Sequence, residues 1–178
     1  MIPITVNSSS CSNELINGML ESLNQIRSQH KAPELQLDIT ISMVSQTWAQ
    51  HLFETGGYDH DPSVNSSNYG KDVLLMGDFK VDTLDPSFAP MINFPGYLLS
   101  TLEEFGINSY PYYGTEPPES EKTKYEPFTA VIWKSSEKVG IGCSSKYVSK
   151  TFTTVNFVVN LSPMGNVKDQ YASNVLNS

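Results

Sequence analysis

The sequence predicts an α+β fold, a layered α/β/α design around a central, mainly antiparallel sheet. Apolar residues recur at helical spacing in two N-terminal stretches, residues 15–26 and 41–52. Three runs of strand-like composition, 128–133, 139–143 and 153–161, crowd the C-terminal third. Helices precede strands, without the alternation that marks parallel βαβ units.

Residues 1–12 are polar and Ser-rich and read as a mobile tail ahead of a single domain over 13–178. Leu15, Ile16, Met19, Leu20, Leu23 and Ile26 line one face of a first helix, which stops before Ala32-Pro33 because a proline disfavours helical geometry in the residue ahead of it. After a short extended connection at 35–37, Asp38 is a good N-cap for a second helix. Its inner stripe is Ile41, Val44, Trp48 and Leu52, and its stop is Gly56-Gly57. Residues 58–69 are loop by composition, 70–77 fit a helix or a strand equally, and 78–90 are irregular. Leu98, Leu99, Leu102 and Phe105 mark a third helix over 96–106, and 109–127 read as a long surface loop. The 128–133 run reads as a strand buried on both faces, 134–138 as a hairpin loop, and 139–143 as a strand whose alternate glycines let it pass close to neighbouring backbone. The last strand, 153–161, ends at the breaker cluster 163–166.

With 178 residues, 39% of them hydrophobic and 17% charged, the chain can bury a core without staples. A net charge of −8 and an isoelectric point near 4.7 repel polyphosphates and anionic bilayers, which argues against nucleic acid as a partner. Lys122, Lys124, Lys134, Lys138, Lys146 and Lys150 gather in the C-terminal half, but Glu119, Glu121, Glu126 and Glu137 are interleaved with them in a mixed, solvated face. No window approaches the roughly 18 uninterrupted apolar residues of a membrane span. The first six residues lack the basic and apolar regions of a signal peptide, and Ile2 excludes N-myristoylation of the sequence as it stands. Cys11 and Cys143 are too few for a disulfide framework. They are expected as two free thiols in a reducing compartment, with a single bridge left open. An intracellular location, cytoplasmic or Golgi-associated, is therefore favoured, with an extracellular one as the alternative. Sequons at Asn7, Asn65 and Asn160 are no more than chance provides in a chain this rich in Asn, Ser and Thr.

Four segments in order resemble the CAP superfamily, named for cysteine-rich secretory proteins, antigen 5 and pathogenesis-related 1. Residues 23–35, with Arg27, His30, Pro33 and Leu35, are similar to its "HNxxRxxHgxppL" opening, although Leu23 stands where a His is usual. Residues 48–52 resemble the "AqxWAxxL" helix. Phe128-Thr-Ala-Val-Ile-Trp133 and Val139-Gly-Ile-Gly142 resemble "HFTxxVWxxxxxvGxG", and 157–167 resemble the closing "yvVxxYxPxGN". The disulfide-poor, intracellular subgroup typified by the Golgi-associated plant pathogenesis-related protein is the nearest in pattern. The resemblance implies a three-layer α/β/α sandwich, in agreement with the element order.

It also implies a cleft in which many members hold two His and two Glu able to bind zinc. Position by position, the first His corresponds to His60 and the second Glu to Glu104. Lys71 replaces the first Glu and Pro127 the second His. Zinc sites need three or four protein ligands, so no bound metal and no other cofactor is expected. Lys71 is expected to stand where the cation would sit and to pair with Glu104 or Asp72, while Asp59, Asp61 and Asp72 are further sources of oxygen. No catalytic residue is expected. The only histidines are His30, His51 and His60, no G-x-S-x-G elbow is present, and Cys143 reads as inert packing.

These readings converge on a non-catalytic binding protein that recognises a lipid, a sterol or a protein partner through its cleft and loops. Phe79, Phe88, Met91, Phe94 and Tyr97 are spaced too irregularly for a helix. They form either a satellite core or an exposed partner or lipid surface. A metal-dependent hydrolase with a remodelled site and a homo-oligomeric scaffold are the alternatives, and a homodimer is compatible with the sequence.

Overall fold

Ser12 starts the first helix. Its hydroxyl accepts from the Leu15 N–H, and α1 (Asn13–Gln29) buries Leu15, Met19, Leu23 and Ile26. The computed structural model describes residues 11–64, 69–80, 96, 99, 100, 102, 106, 108–149 and 152–178. Gln36–Leu37 forms a two-residue strand, β1, and the Asp38 carboxylate accepts from the Ile41 N–H to cap α2 (Ile39–Thr55), which ends at a left-handed Gly56. Then follow β2 (Val73–Lys80), α3 (Glu119–Val131), β3 (Lys138–Ser149), β4 (Phe152–Ser162) and a single turn, α4 (Tyr171–Asn174). Residues 96, 99, 100, 102, 106, 108 and 109 are helical, where a third helix was expected. Leu98 and Phe105 of its stripe, like residues 1–10 of the tail, lie outside the described residues.

The sheet runs β1-β3-β4-β2, antiparallel except for the β1/β3 pair. Alternate residues serve opposite faces. Val139, Ile141 and Cys143 of β3 and Val155, Phe157, Val159 and Leu161 of β4 enter the main core with α1 and α3. On the other face, Val158 and Leu74 pack with Ala49 and Leu52 of α2, and Asn160 Oδ1 accepts from the Ser45 hydroxyl. This buried role takes Asn160 out of consideration as a glycosylation site. A Cβ on Gly142 would fall 2.3 Å from the Ser45 carbonyl carbon, so the missing side chain is what lets α2 lie against β3. Beyond Leu37, α2 also completes the edge of β3: the Ile141 N–H donates to Ser42 Oγ, and both halves of the Gln46 amide bond the Cys143 backbone.

Three expectations are corrected. Residues 128–131 are the last turn of α3 rather than a strand, and 134–138 connect that helix to β3 instead of closing a hairpin. The run is buried all round, so no period distinguishes strand from helix, and Pro127 looked like a boundary. Pro127 instead sits inside the helix, and the Thr129 hydroxyl oxygen lies close to the Tyr125 and Glu126 carbonyls beside it. The second half of the expected 109–127 loop is therefore helical. Residues 70–77, left open between helix and strand, contribute most of β2.

Cys11 and Cys143 are not free thiols. They form a disulfide across 132 residues, tying the start of α1 to the core face of β3. Spacing alone cannot show that the two approach, and their pairing removes the argument for a reducing compartment.

The α1 side of the core is closed by Arg27, which is fully buried. Its Nε–H donates to the Pro33 carbonyl at 2.9 Å, Nη1 donates to Val131 and Trp133 at 2.9 and 2.8 Å, and Nη2 donates to Ser136 at 2.8 Å. The last three are carbonyls at and beyond the C-terminal end of α3, where a helix leaves acceptors unsatisfied and carries partial negative charge. Burial lowers the guanidinium pKa to about 10, so Arg27 remains charged at neutral pH.

Replacing Arg27 by Met strands these buried acceptors and should cost about 3 kcal/mol or more in urea unfolding, because each unsatisfied group costs roughly 1–3 kcal/mol. Arg27→Lys should recover only part of the loss, since an ammonium cannot span the same fork. Cys11→Ser should lower stability by about 2–5 kcal/mol, and a reductant should lower the melting temperature of the parent but not of the variant.

Candidate functional site

The loop after α2 folds back on β2 through short bonds. The Trp48 indole N–H donates to the Asp59 carbonyl at 2.7 Å, the Tyr58 hydroxyl donates to the Leu74 carbonyl at 2.9 Å, and the Asp61 N–H donates to Asp72 Oδ1 at 3.1 Å. The Asp61 carboxylate is occupied locally by the Ser63 N–H and hydroxyl. His60 is thereby held with Nδ1 3.5 Å from Asp72 Oδ1, its own side chain 39% exposed and that of Asp72 fully buried. Asp72 Oδ2 is buried and has no hydrogen-bond partner. Burial raises the Asp72 pKa and the nearby His60 opposes the rise; Tyr58 is also raised, first by burial and then by the Asp72 charge.

Lys71, next to Asp72, extends the other way. Its Nζ lies 2.9 Å from Glu126 Oε2 on α3 in a partly exposed ion pair. The expected pairing with Asp72 is corrected: that carboxylate faces His60, and it is Glu126, seen in the sequence only as one of several interleaved charges, that meets the lysine. Asn166, in the left-handed conformation, secures this corner. Its Nδ2 donates to the Glu126 carbonyl and its Oδ1 accepts from the Thr129 hydroxyl. Asn166 was legible as part of a breaker cluster, but its partners were not. Glu104, Phe79 as a side chain, Phe88, Met91, Phe94 and Tyr97 lie outside the described residues.

Among the described residues, no group of three or more His, Cys, Asp or Glu is placed to hold a metal ion. On the correspondence the resemblance implies, Pro127 has no donor side chain and the Lys71 ammonium has no lone pair to offer, so neither of these two would supply a zinc ligand, while Glu104 lies outside the described residues. His60 and Asp72 resemble an oriented acid–base pair, but the Ser63 hydroxyl is turned to Asp61 and both thiols are in the disulfide. Among the described residues, none places a nucleophile against His60. A separate recess of about 440 Å³, whose apolar wall is Trp133, Pro163, Met164 and Val167, includes none of the tetrad positions.

A helix-flanked, mainly antiparallel sheet closed by these signature segments defines a CAP-type α+β domain. The profile of the Cysteine-rich secretory protein family matches residues 20–160, and the chain belongs to this CAP family. It is 23% identical over 171 residues to the Golgi-associated plant pathogenesis-related protein 1 of Homo sapiens, covering 94% of this chain and 96% of that protein. It is 29% identical over 156 residues to a probable pathogenesis-related protein of Arthroderma benhamiae, covering 85% of this chain but only 45% of that longer protein. The crystal structure of MpPR-1i shares the fold with a TM-score of 0.57 at 15% identity, over 94% of this chain and 98% of the other. No helix among the described residues is long and apolar enough to cross a membrane.

Because Asp72 holds its proton more readily when folded, native protein binds more protons than unfolded protein between the ordinary carboxylate pKa and the raised one, and stability falls as pH rises through that window. Asp72→Asn keeps an acceptor for the Asp61 N–H and removes the titration. Its stability relative to the parent should therefore rise from acidic to neutral pH in urea unfolding; a difference independent of pH would contradict the assignment.

Proposed function

We propose that this chain is a non-catalytic CAP-domain binding protein whose cleft has lost the family's metal tetrad and recognises a lipid, a sterol or a protein partner. The observation that carries the reading is the Lys71–Glu126 ion pair beside a helical Pro127; on the correspondence the family resemblance implies, these two residues would replace two of the four ligands. An ammonium on a side chain binds carboxylates but offers no coordination site for a substrate. The absence, among the described residues, of a nucleophile bonded to His60 supports recognition over hydrolysis. Apart from that cleft, the recess of about 440 Å³ with an apolar wall falls within the roughly 300–1,000 Å³ typical of ligand pockets and is a second place where an apolar ligand could sit. The loop aromatics Phe79, Phe88, Phe94 and Tyr97, with Met91, enter as contact residues on the strength of the sequence.

Zinc titrated calorimetrically should show no saturable one-to-one binding to the parent, whereas Lys71→Glu combined with Pro127→His should create such binding. One equivalent bound by the parent at micromolar affinity would overturn the reading. Solvent extraction and mass spectrometry, followed by competition with a labelled sterol, separates the two ligand classes. Retained lipid displaced by sterol favours the first class, and its absence shifts the reading to a protein partner.

A further inference from the structure

We propose that the C-terminal end of α2 and the loop after it bind an arginine-bearing segment of a protein partner. From residue 32 to residue 70 the chain contains five carboxylates, Glu34, Asp38, Glu54, Asp59 and Asp61, and no Lys or Arg. Two of the five are compensated where they stand: Asp38 meets Lys138 at 3.4 Å, and Asp61 accepts from the Ser63 N–H and hydroxyl. Glu54 and Asp59 are exposed, and among the described residues neither has a Lys or Arg partner. Both border a helix end that disfavours them. The last turn of α2 holds Glu54 and no basic residue, and Asp59 Oδ2 lies 3.3 Å from where a Cβ on Gly57 would be. A helix C-terminus carries partial negative charge and is stabilised by cations, so these carboxylates cost stability in the free protein. Local rules are broken in this way where function requires it, and a bound cation would supply the missing compensation.

The group behind the loop is of the same sign. The Asp72 side chain is fully buried, accepts from the Asp61 N–H, faces His60 at 3.5 Å and keeps Oδ2 without a partner. Lys71, its neighbour in the chain, is turned to Glu126 instead. The aromatic side chains give the class of cation. Tyr58 is 48% exposed, with its ring fixed by the hydroxyl bond to the Leu74 carbonyl. Trp48 is held by the Asp59 carbonyl and carries the exposed His51 stacked on it at 4.4 Å. Flat rings fixed beside carboxylates suit a guanidinium, which stacks on an aromatic face and forks to a carboxylate, better than a compact ammonium. A metal ion is a poorer fit, since no group of three or more His, Cys, Asp or Glu among the described residues is placed to hold one. An anionic bilayer is repelled by the same charges. This rests on the protein-partner form of the function proposed above and names that partner's chemistry; the zinc titration tests the lost tetrad separately.

A fluorescein-labelled peptide of alternating Arg and Ser, titrated with the full chain at about 0.15 M salt, should bind saturably in a one-to-one complex, and its Lys counterpart more weakly. Glu54→Gln combined with Asp59→Asn should weaken the arginine peptide about tenfold. Glu14→Gln combined with Glu21→Gln, the same change of net charge at exposed positions of α1, should weaken it less than about twofold. Without peptide, the Glu54 and Asp59 double variant should unfold at a higher urea concentration than the parent, because it relieves the helix end. Equal weakening by the two pairs overturns the proposal, since the attraction is then general. So does a lower urea midpoint for the first pair, or equal affinity for the lysine peptide. Binding to phosphatidylcholine vesicles that is lost in the Glu54 and Asp59 variant also overturns it, because a choline headgroup would then be the cation. Absence of saturable peptide binding, with zinc still unbound by the parent, rejects this partner class while the recognition reading stands.

Discussion

A single buried guanidinium is the constraint on which the rest of this domain depends. Arg27 leaves α1, crosses the core and donates to Pro33, Val131, Trp133 and Ser136, joining the opening segment to the turn between α3 and β3. Among the described residues it has no carboxylate partner, so its desolvation is offset by carbonyl dipoles, including those at the C-terminal end of α3. Such an arrangement works only if the helix ends at one place and in one orientation. The interaction therefore specifies geometry more than it adds net stability.

The other family-like segments serve the same corner. His30 bonds the Leu176 carbonyl and meets Phe128 edge-on, Thr129 bonds Asn166, and Trp133 is in edge-to-face contact with Tyr171 and backed by Gly165. Gly140 and Gly142 admit α2 on the opposite face of the sheet. Residues that identify the family are thus largely the joints of its architecture.

The same division decides what could be read from the sequence. α1 and α2 were legible because each has one wet and one dry face, which leaves a period, and because Asp38 and Gly56 have local capping chemistry; the 153–161 strand, buried on both faces, was legible from its β-branched composition and the breaker cluster after it. Residues 128–133 have no wet face, and the helical state of 128–131 is set within the core they share with α1 and the sheet, which is tertiary information. β1 is two residues long and exists only because β3 pairs with it. The disulfide and the Lys71–Glu126 pair depend on separations of 132 and 55 residues closing in space, and spacing cannot report that. At the candidate site the sequence marked Lys71 as unusual, whereas its pairing with Glu126 had to come from the structure.

That pairing bears on what the cleft can do under the proposed reading. A divalent ion draws ligands around itself and keeps a position open for a reacting oxygen. Lys71 keeps positive charge in this region, but the charge is covalently held, hydrated on its partly exposed side and directed at one carboxylate. Exposed pairs of this kind contribute little to stability. The buried Asp72 is the reverse case, expensive to ionise and dependent on the 58–64 loop for its hydrogen bond. Opening that loop would expose the carboxyl to water and ease its ionisation, so loop position and Asp72 protonation are linked.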